Sequence, residues 1–366
     1  MATGALRPLD LHLSRWLVRL AGSGGAAQQL AAALVSLRTG AGDVCLDLAR
    51  FAGTQPFPAV PGLQAPALAD WCATLAAWSV VGAPGGAPAP LVLDGELLYL
   101  GRYHAAEQAV ARGILALVRR PAPPVDRARL RAGLQRLFGP VPTAAGSDHT
   151  SAAAPDWQRS AAALAVLQRF CVISGGPGTG KTYTVARILA LLAEAAGGVL
   201  RIALAAPTGK AAARLTESIR AARAEAALDP ALAALIPEQA QTLHRLLGFR
   251  PGRERPRHHA GNPLHLDLLV VDEASMLDLT LMARLLAALP ATARLILLGD
   301  REQLASVEAG MVLGDLCGRA RVPCWSAPLR AALAETAGAP AAVVSAADGA
   351  PVASGADTGA TRGRRR

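Results

Sequence analysis

The chain is poor in aromatic residues and in charge: aromatics make up 4% and charged residues 17% of its 366 positions, against 52% hydrophobic. That balance excludes a wholly disordered protein, whose signature is the reverse. Long apolar runs are also missing. Arg, Glu or Gly interrupts each run well short of the ~18 residues of a membrane-spanning helix, and the opening MATGALRPLDLHLSRWLVRL has no continuous apolar segment of the secretory kind. A soluble, cytoplasmic protein with no membrane partner is expected. Cysteines are few, Cys45, Cys72, Cys171, Cys317 and Cys324, an odd set without a C-x-x-C pair or histidines at zinc spacing. Neither a disulfide framework nor a structural metal site follows, and reduced thiols are the plain expectation.

Lysine is nearly absent. The chain has 37 basic residues and a net charge of +10, yet only Lys181 and Lys210 are lysines. Two retained lysines mark places where a compact ammonium is needed and a planar guanidinium fork would not fit. The basic excess suits a nucleic-acid partner, because phosphate neutralisation supplies most sequence-independent affinity.

Residues 1–140 read as a mainly helical domain. Leu130, Leu134, Leu137 and Phe138, and again Val110, Ile114, Leu117 and Val118, recur at helical spacing. The stretches 55–66 and 81–90, rich in Pro, Gly and Ala, read as loops, and 141–155 reads as an interdomain linker. From 156 to 330 short apolar runs alternate with helical stretches. Residues 170–174, 201–206, 266–272 and 294–299 predict buried parallel strands, and 182–196, 209–223 and 277–289 predict crossover helices. The fold class expected is α/β, a P-loop NTPase domain with a parallel sheet. Residues 331–366, dominated by small residues and ending in arginines, predict an unstructured tail.

Gly175, Gly176, Pro177, Gly178, Thr179, Gly180, Lys181 and Thr182 fit G-x-x-x-x-G-K-[ST], between a predicted strand and a predicted helix. Glycines let backbone N–H groups wrap phosphates, Lys181 would reach the β/γ-phosphates, and Thr182 would hold Mg²⁺. The second half of such a site is an acidic pair after an apolar strand, supplied by Asp272 and Glu273. Asp272 would order Mg²⁺, and Glu273 would orient or deprotonate the attacking water. After the next strand, Gln303 stands where it could sense the γ-phosphate, and Pro207, Thr208 and Lys210 follow the strand between the two halves with donors suited to a nucleic-acid backbone. The stretch from Arg250 through Arg253, Arg255 and Arg257 to His259 either touches DNA phosphates or is a solvated loop.

The ordered set GGPGTGKT, APTGKAAARL, QTLHRLLG, VVDEASM and LLGDREQLASVEAG resembles the superfamily 1 DNA helicases, most closely the alpha subunit of exodeoxyribonuclease V, the RecD family. The similarity extends to Asp43–Leu48, Leu98–Tyr103 and Asp156-Trp157-Gln158, and covers about residues 10 to 330. It implies a helical amino-terminal domain that packs on a partner, then RecA-like motor domains using ATP and Mg²⁺. The activity implied is 5′ to 3′ translocation on single-stranded DNA from DNA ends, beside two larger subunits in a helicase-nuclease that repairs double-strand breaks. Gln158 would read adenine and Tyr183 would adjoin the nucleotide, while Pro207, Thr208, Lys210, Thr242 and His244 would face DNA. Nothing after Arg330 resembles the family's second motor domain, so a chain cut short after its first motor domain is expected. The alternatives are another superfamily 1 helicase and an ATP-binding interaction subunit without turnover.

Overall fold

The computed structural model describes residues 6–57, 60, 62–140, 156–176, 178–197, 200–225, 230–253, 255–301, 303, 309–318 and 325–338. The expected linker 141–155 and most of the expected tail lie outside them.

An amino-terminal body comes first. Helices α1 (Pro8–Ala21) and α2 (Ala26–Gly40) pack together, followed by β1 (Cys45–Asp47), α3 (Leu68–Ala76), β2 (Val81–Gly82), β3 (Leu91–Asp94) and β4 (Leu97–Leu100). The strands form one sheet in the order β1-β4-β3-β2, antiparallel except that β2 runs parallel to β3. Gly95, at φ 60, turns β3 into β4 in a tight hairpin. This sheet adds strands to the mainly helical reading: they are two to four residues long, too short for alternation to show. The core gathers Leu17, Leu34, Leu46, Trp71 and Leu98, and both buried indoles find carbonyl partners, Trp71 on Ala27 at 3.0 Å and Trp78 on Ser23 at 2.8 Å.

Two helices then lead out, α4 (Gly101–Arg119) and α5 (Arg127–Phe138). Both pack on the second body. A side chain at Gly113 would come within 3.0 Å of Leu286, and one at Gly133 within 2.6 Å of Leu191, so these glycines let the helices approach closely.

The second body is built on α6 (Trp157–Leu167), β5 (Phe170–Ser174), α7 (Lys181–Ala195), β6 (Ile202–Ala206), α8 (Gly209–Glu225), α9 (Pro230–Leu235), β7 (Gln241–Thr242), α10 (Leu243–Leu247), β8 (Leu268–Val271), α11 (Leu279–Ala288), β9 (Arg294–Gly299), α12 (Val312–Cys317) and α13 (Ala327–Ala337). Its five strands are parallel, in the order β5-β9-β8-β6-β7. Every residue of β8 and β9 is buried, because helices cover both faces. One face carries α5, α6, α7, α8 and α13, and the other carries α4, α10, α11 and α12. Arg294 opens β9 inside the core, and its guanidinium donates to Val166 O at 2.9 Å and Gln168 O at 2.7 Å, closing the end of α6. Burial pulls this arginine down to about 10, still charged at neutral pH.

Residues 331–337, expected to be unstructured, instead continue α13, which buries Leu333 and Ala337 against α5 and α6. Alanine-rich composition, which reads as low complexity, is also the best intrinsic helix former. No helix among the described residues is long and apolar enough to cross a membrane.

Candidate active site

In a parallel sheet all strands point the same way, so their carboxyl ends meet along one edge, where open α/β sheets bind ligands. The strand order places β9 between β5 and β8, and the loops that follow these three strands carry the glycine-rich segment, Gln303 and the acidic pair.

After Ser174 the backbone runs bare around the loop. Gly178 and Gly180 take φ 75 and 76, the left-handed region that side chains resist. Side chains at Gly176 or Gly178 would meet no atom within 4 Å, so the loop is open to its surroundings at both positions. Gly180 caps α7, leaving the first-turn N–H groups of Lys181, Thr182 and Tyr183 aimed the same way. Lys181 folds back over the loop, its ammonium donating to the carbonyls of Gly175 and, at 2.8 Å, of Gly176. Gln158, from the first turn of α6, donates to Thr179 O at 3.0 Å, so the glutamine reaches the loop across 21 positions of sequence. Thr179 closes the turn through its hydroxyl on Gly176 O at 2.9 Å. Pro177 lies outside the described residues, and only the backbone of Thr182 is described. The Tyr183 hydroxyl accepts from Arg187 at 2.5 Å while that guanidinium lies 4.0 Å from the ring centre, so its side chain turns to the core and leaves its N–H for the loop.

Asp272 follows the last residue of β8. Its carboxylate accepts from the Glu273 N–H at 2.9 Å. Burial pushes the carboxyl up from its ordinary value, the Glu273 N–H pulls it down, the Glu273 charge raises it, and Lys181 lowers it, with a net upward shift. Lys181 and Asp272 are therefore electrostatic neighbours although 91 positions separate them. Glu273 takes φ 52, and it is the only residue other than glycine with positive φ among those described. Holding a side chain there costs about 1 kcal/mol or more.

Gln303 stands on the loop after β9, and its Oε1 accepts from the Ser275 hydroxyl at 3.3 Å. Ser275, two residues beyond Glu273, is a site residue that sequence reasoning misses; a lone serine after an acidic pair carries no signal until the fold brings Gln303 to it. The same edge is tied to β5, where the Arg301 N–H donates to Ser174 Oγ at 3.2 Å.

The residues expected to face DNA sit toward the other side of the sheet. Thr242 pairs with Ala206 across β7 and β6, so Pro207, Thr208 and Thr242 leave neighbouring strand ends. Both threonine hydroxyls accept backbone bonds, Thr208 from Ala211 N–H at 3.2 Å and Thr242 from Arg245 N–H at 3.2 Å. A capping hydroxyl still has its own proton to donate. Lys210 and His244 are exposed, the His244 ring 4.9 Å from Phe249.

Residues 158–309 match the family described as "AAA domain", and residues 2–99 match "RecBCD enzyme subunit RecD, N-terminal domain". Among relatives, the chain is 46% identical to "RecBCD enzyme subunit RecD" of Mycolicibacterium smegmatis over 85% of this chain and 52% of that one. It is 53% identical to the protein of the same name from Haemophilus influenzae over 44% of this chain and 26% of that one. To "ATP-dependent RecD2 DNA helicase" of Deinococcus radiodurans it is 44% identical over 40% of this chain and 17% of that one. The chain spans about half the length of the first of these relatives. With both matched segments in their expected order and the glycine loop, acidic pair and glutamine gathered at one sheet edge, this chain is similar to the RecD family along both segments.

Proposed function

We propose that this chain is the ATP-driven motor part of a 5′ to 3′ DNA helicase subunit, working in the cytoplasm beside two larger subunits of a helicase-nuclease that processes double-strand breaks. The observation that carries the reading is that the parallel sheet brings the loops bearing Lys181, Asp272 and Gln303 to one edge, after the neighbouring strands β5, β8 and β9. Relatives named as a subunit of the RecBCD enzyme and as an ATP-dependent DNA helicase support it.

The residues fit a nucleotide and its metal. A glycine-rich loop running into the amino-terminal turn of a helix suits phosphate oxygens, and a half-buried carboxyl whose ionisation burial disfavours suits a nearby divalent cation that would offset the cost. Bound MgATP would supply the phosphoanhydride whose hydrolysis drives movement. In this reading Lys181 leaves the loop carbonyls to neutralise phosphate charge, and Thr182 and Asp272 hold Mg²⁺. Glu273 orients or deprotonates the attacking water, Gln303 reports the γ-phosphate, and Gln158 reads the base. Pro207, Thr208, Lys210, Thr242 and His244 face the single strand.

The test is ATP hydrolysis by the purified chain with and without single-stranded DNA, with Lys181→Ala as the blank and a nucleotide titration beside it. Hydrolysis that rises with DNA and vanishes in the variant supports the motor reading. Nucleotide binding without hydrolysis in the presence of DNA overturns the motor activity for this chain and leaves a nucleotide-binding subunit.

A further inference from the structure

Helix α6 carries Gln158 to the nucleotide loop, and its buried face is made of small side chains. Ala162, Ala163, Ala165 and Val166 are all at 0% exposure, and such shallow ridges fix the rotation and axial position of a helix poorly. Polar ties at its two ends do that instead. Arg294 holds the carboxyl end through Val166 O and Gln168 O. At the amino end the counterpart is Arg159, whose side chain is buried to 1% exposure.

The Arg159 guanidinium reaches from α6 to both flanks of the interval between α5 and α6. Its Nη2 donates to the carbonyl of Gly139, the residue that ends α5 at φ 82, and its Nε lies 3.7 Å from Asp156 Oδ2. Asp156 is in turn the cap of α6, its Oδ1 accepting from the Arg159 N–H at 2.9 Å. This is a costly way to fill a core. Nε and Nη1 have no hydrogen-bond partner among the described residues, and a buried guanidinium with donors unmet is worse for stability than an apolar side chain of its size. What such a group does supply is register, because it has one low-energy position and penalises the others.

The residue that needs this register is its neighbour in the chain. Gln158 Nε2 donates to Thr179 O at 3.0 Å, and a side chain at Gly180 would come within 2.7 Å of the same nitrogen. The amide is thus seated against the cap of α7. A slip of α6 by one residue moves it about 1.5 Å along its axis, enough to break that bond. An amide held in place can pair with adenine, which offers one acceptor and one donor on its N7 edge, whereas guanine offers two acceptors there.

We propose that Arg159 is a positioning residue for base recognition: by tying the first turn of α6 to Gly139 and Asp156 it holds Gln158 at the nucleotide loop, and so favours adenine over guanine. The proposal rests on the reading of Gln158 as the group that reads the base. Arg159, being buried, acts through its neighbour and not on the nucleotide.

The test measures the affinity of the full chain for MgATP, MgGTP and tripolyphosphate by competition with a fluorescent nucleotide, in Gln158→Ala, Arg159→Met and Arg159→Lys. Tripolyphosphate probes the loop without a base. Gln158→Ala is expected to lower the preference for ATP over GTP about tenfold. Arg159→Met should do nearly the same from its buried position, with tripolyphosphate affinity kept and the melting temperature held or raised. Arg159→Lys keeps the charge but gives up the fork, so it can reach one of the two anchors, and the preference should fall about threefold. If Gln158→Ala loses the preference and Arg159→Met keeps it, the positioning role is overturned while the base reading stands. Weakening of ATP, GTP and tripolyphosphate alike in Arg159→Met, with a lower melting temperature, makes Arg159 a strut of the core and overturns the proposal as well. A preference that Gln158→Ala leaves unchanged removes the base reading itself, and the positioning role with it. Should Arg159→Met fail to fold, Arg159→Lys decides, since an unchanged preference for ATP in that variant overturns the proposal.

Discussion

The two sheets of this protein treat their polar groups in opposite ways. In the amino-terminal body the buried carboxyl and both core indoles are bonded internally: Asp10, fully buried, accepts from Arg7 at 2.7 Å and from the Ser36 hydroxyl at 2.7 Å, and the indoles of Trp71 and Trp78 donate to carbonyls. In the second body the strands are the more deeply buried, yet the residues just past their carboxyl ends hold a raised carboxyl, a lysine folded onto its own loop and a glutamate at positive φ. A region that satisfies its polar groups from within is a scaffold. One that keeps charge and strain together at a sheet edge is poised to hold something else.

Two substitutions should separate these roles most sharply. Lys181→Ala is expected to lower DNA-stimulated ATP hydrolysis about 10²-fold or more, leaving the melting temperature of the chain within a degree or two. Trp71→Ala should do the reverse. Its indole is fully buried, and truncation costs about 3–5 kcal/mol through the cavity and the orphaned Ala27 carbonyl. Hydrogen exchange should then show α2, α3 and β4 opening first, with nucleotide affinity kept. If Trp71→Ala instead abolishes nucleotide binding, the two bodies are not energetically separable and the contrast fails.

Acid provides a smaller test. Burial pushes the Asp10 carboxyl up, but the bonds from Arg7 and Ser36 outweigh it and hold it below its ordinary 3.8. A carboxyl depressed in the folded state contributes stability that is complete above its ordinary value and is lost as pH falls through the lowered folded one. Asp10→Asn should therefore cost about 1–3 kcal/mol near pH 7, and the gap to the unaltered chain should narrow below about pH 4. A gap constant down to pH 2 would mean that the bonds do not depend on the charge.

What the sequence makes legible follows the same division. Strands 170–174 and 294–299 match β5 and β9 in full, since a buried parallel strand is a continuous apolar run bounded by polar residues. The glycine loop and the acidic pair are legible because their chemistry needs fixed residues at fixed spacing. Strands β1 to β4 are not, being short and paired through contacts between positions as distant as Cys45 and Tyr99. Nor is the role of α4 and α5, whose apolar faces are plain in sequence but whose partners, α11 and α7, lie across the chain. Positive φ at Glu273 has no sequence signal, because glutamate is not a residue that favours it.

That glutamate gives the subtlest way to sharpen the comparison. If the second body gives up stability to hold a water-activating carboxylate at φ 52, then removing the side chain should return some of it. Glu273→Gly relieves the left-handed strain at the cost of greater freedom in the unfolded chain, for a net gain of about 1 kcal/mol or less. The same variant should lose ATP hydrolysis while binding nucleotide as before, since neither the loop amides nor Lys181 is touched. Glu273→Gln separates the two effects: it keeps the strained backbone and removes the charge, so hydrolysis falls and stability stays put. Should Glu273→Gly prove less stable than Glu273→Gln, the positive φ is not a strain carried for function, and the edge of the parallel sheet would be as internally settled as the amino-terminal body.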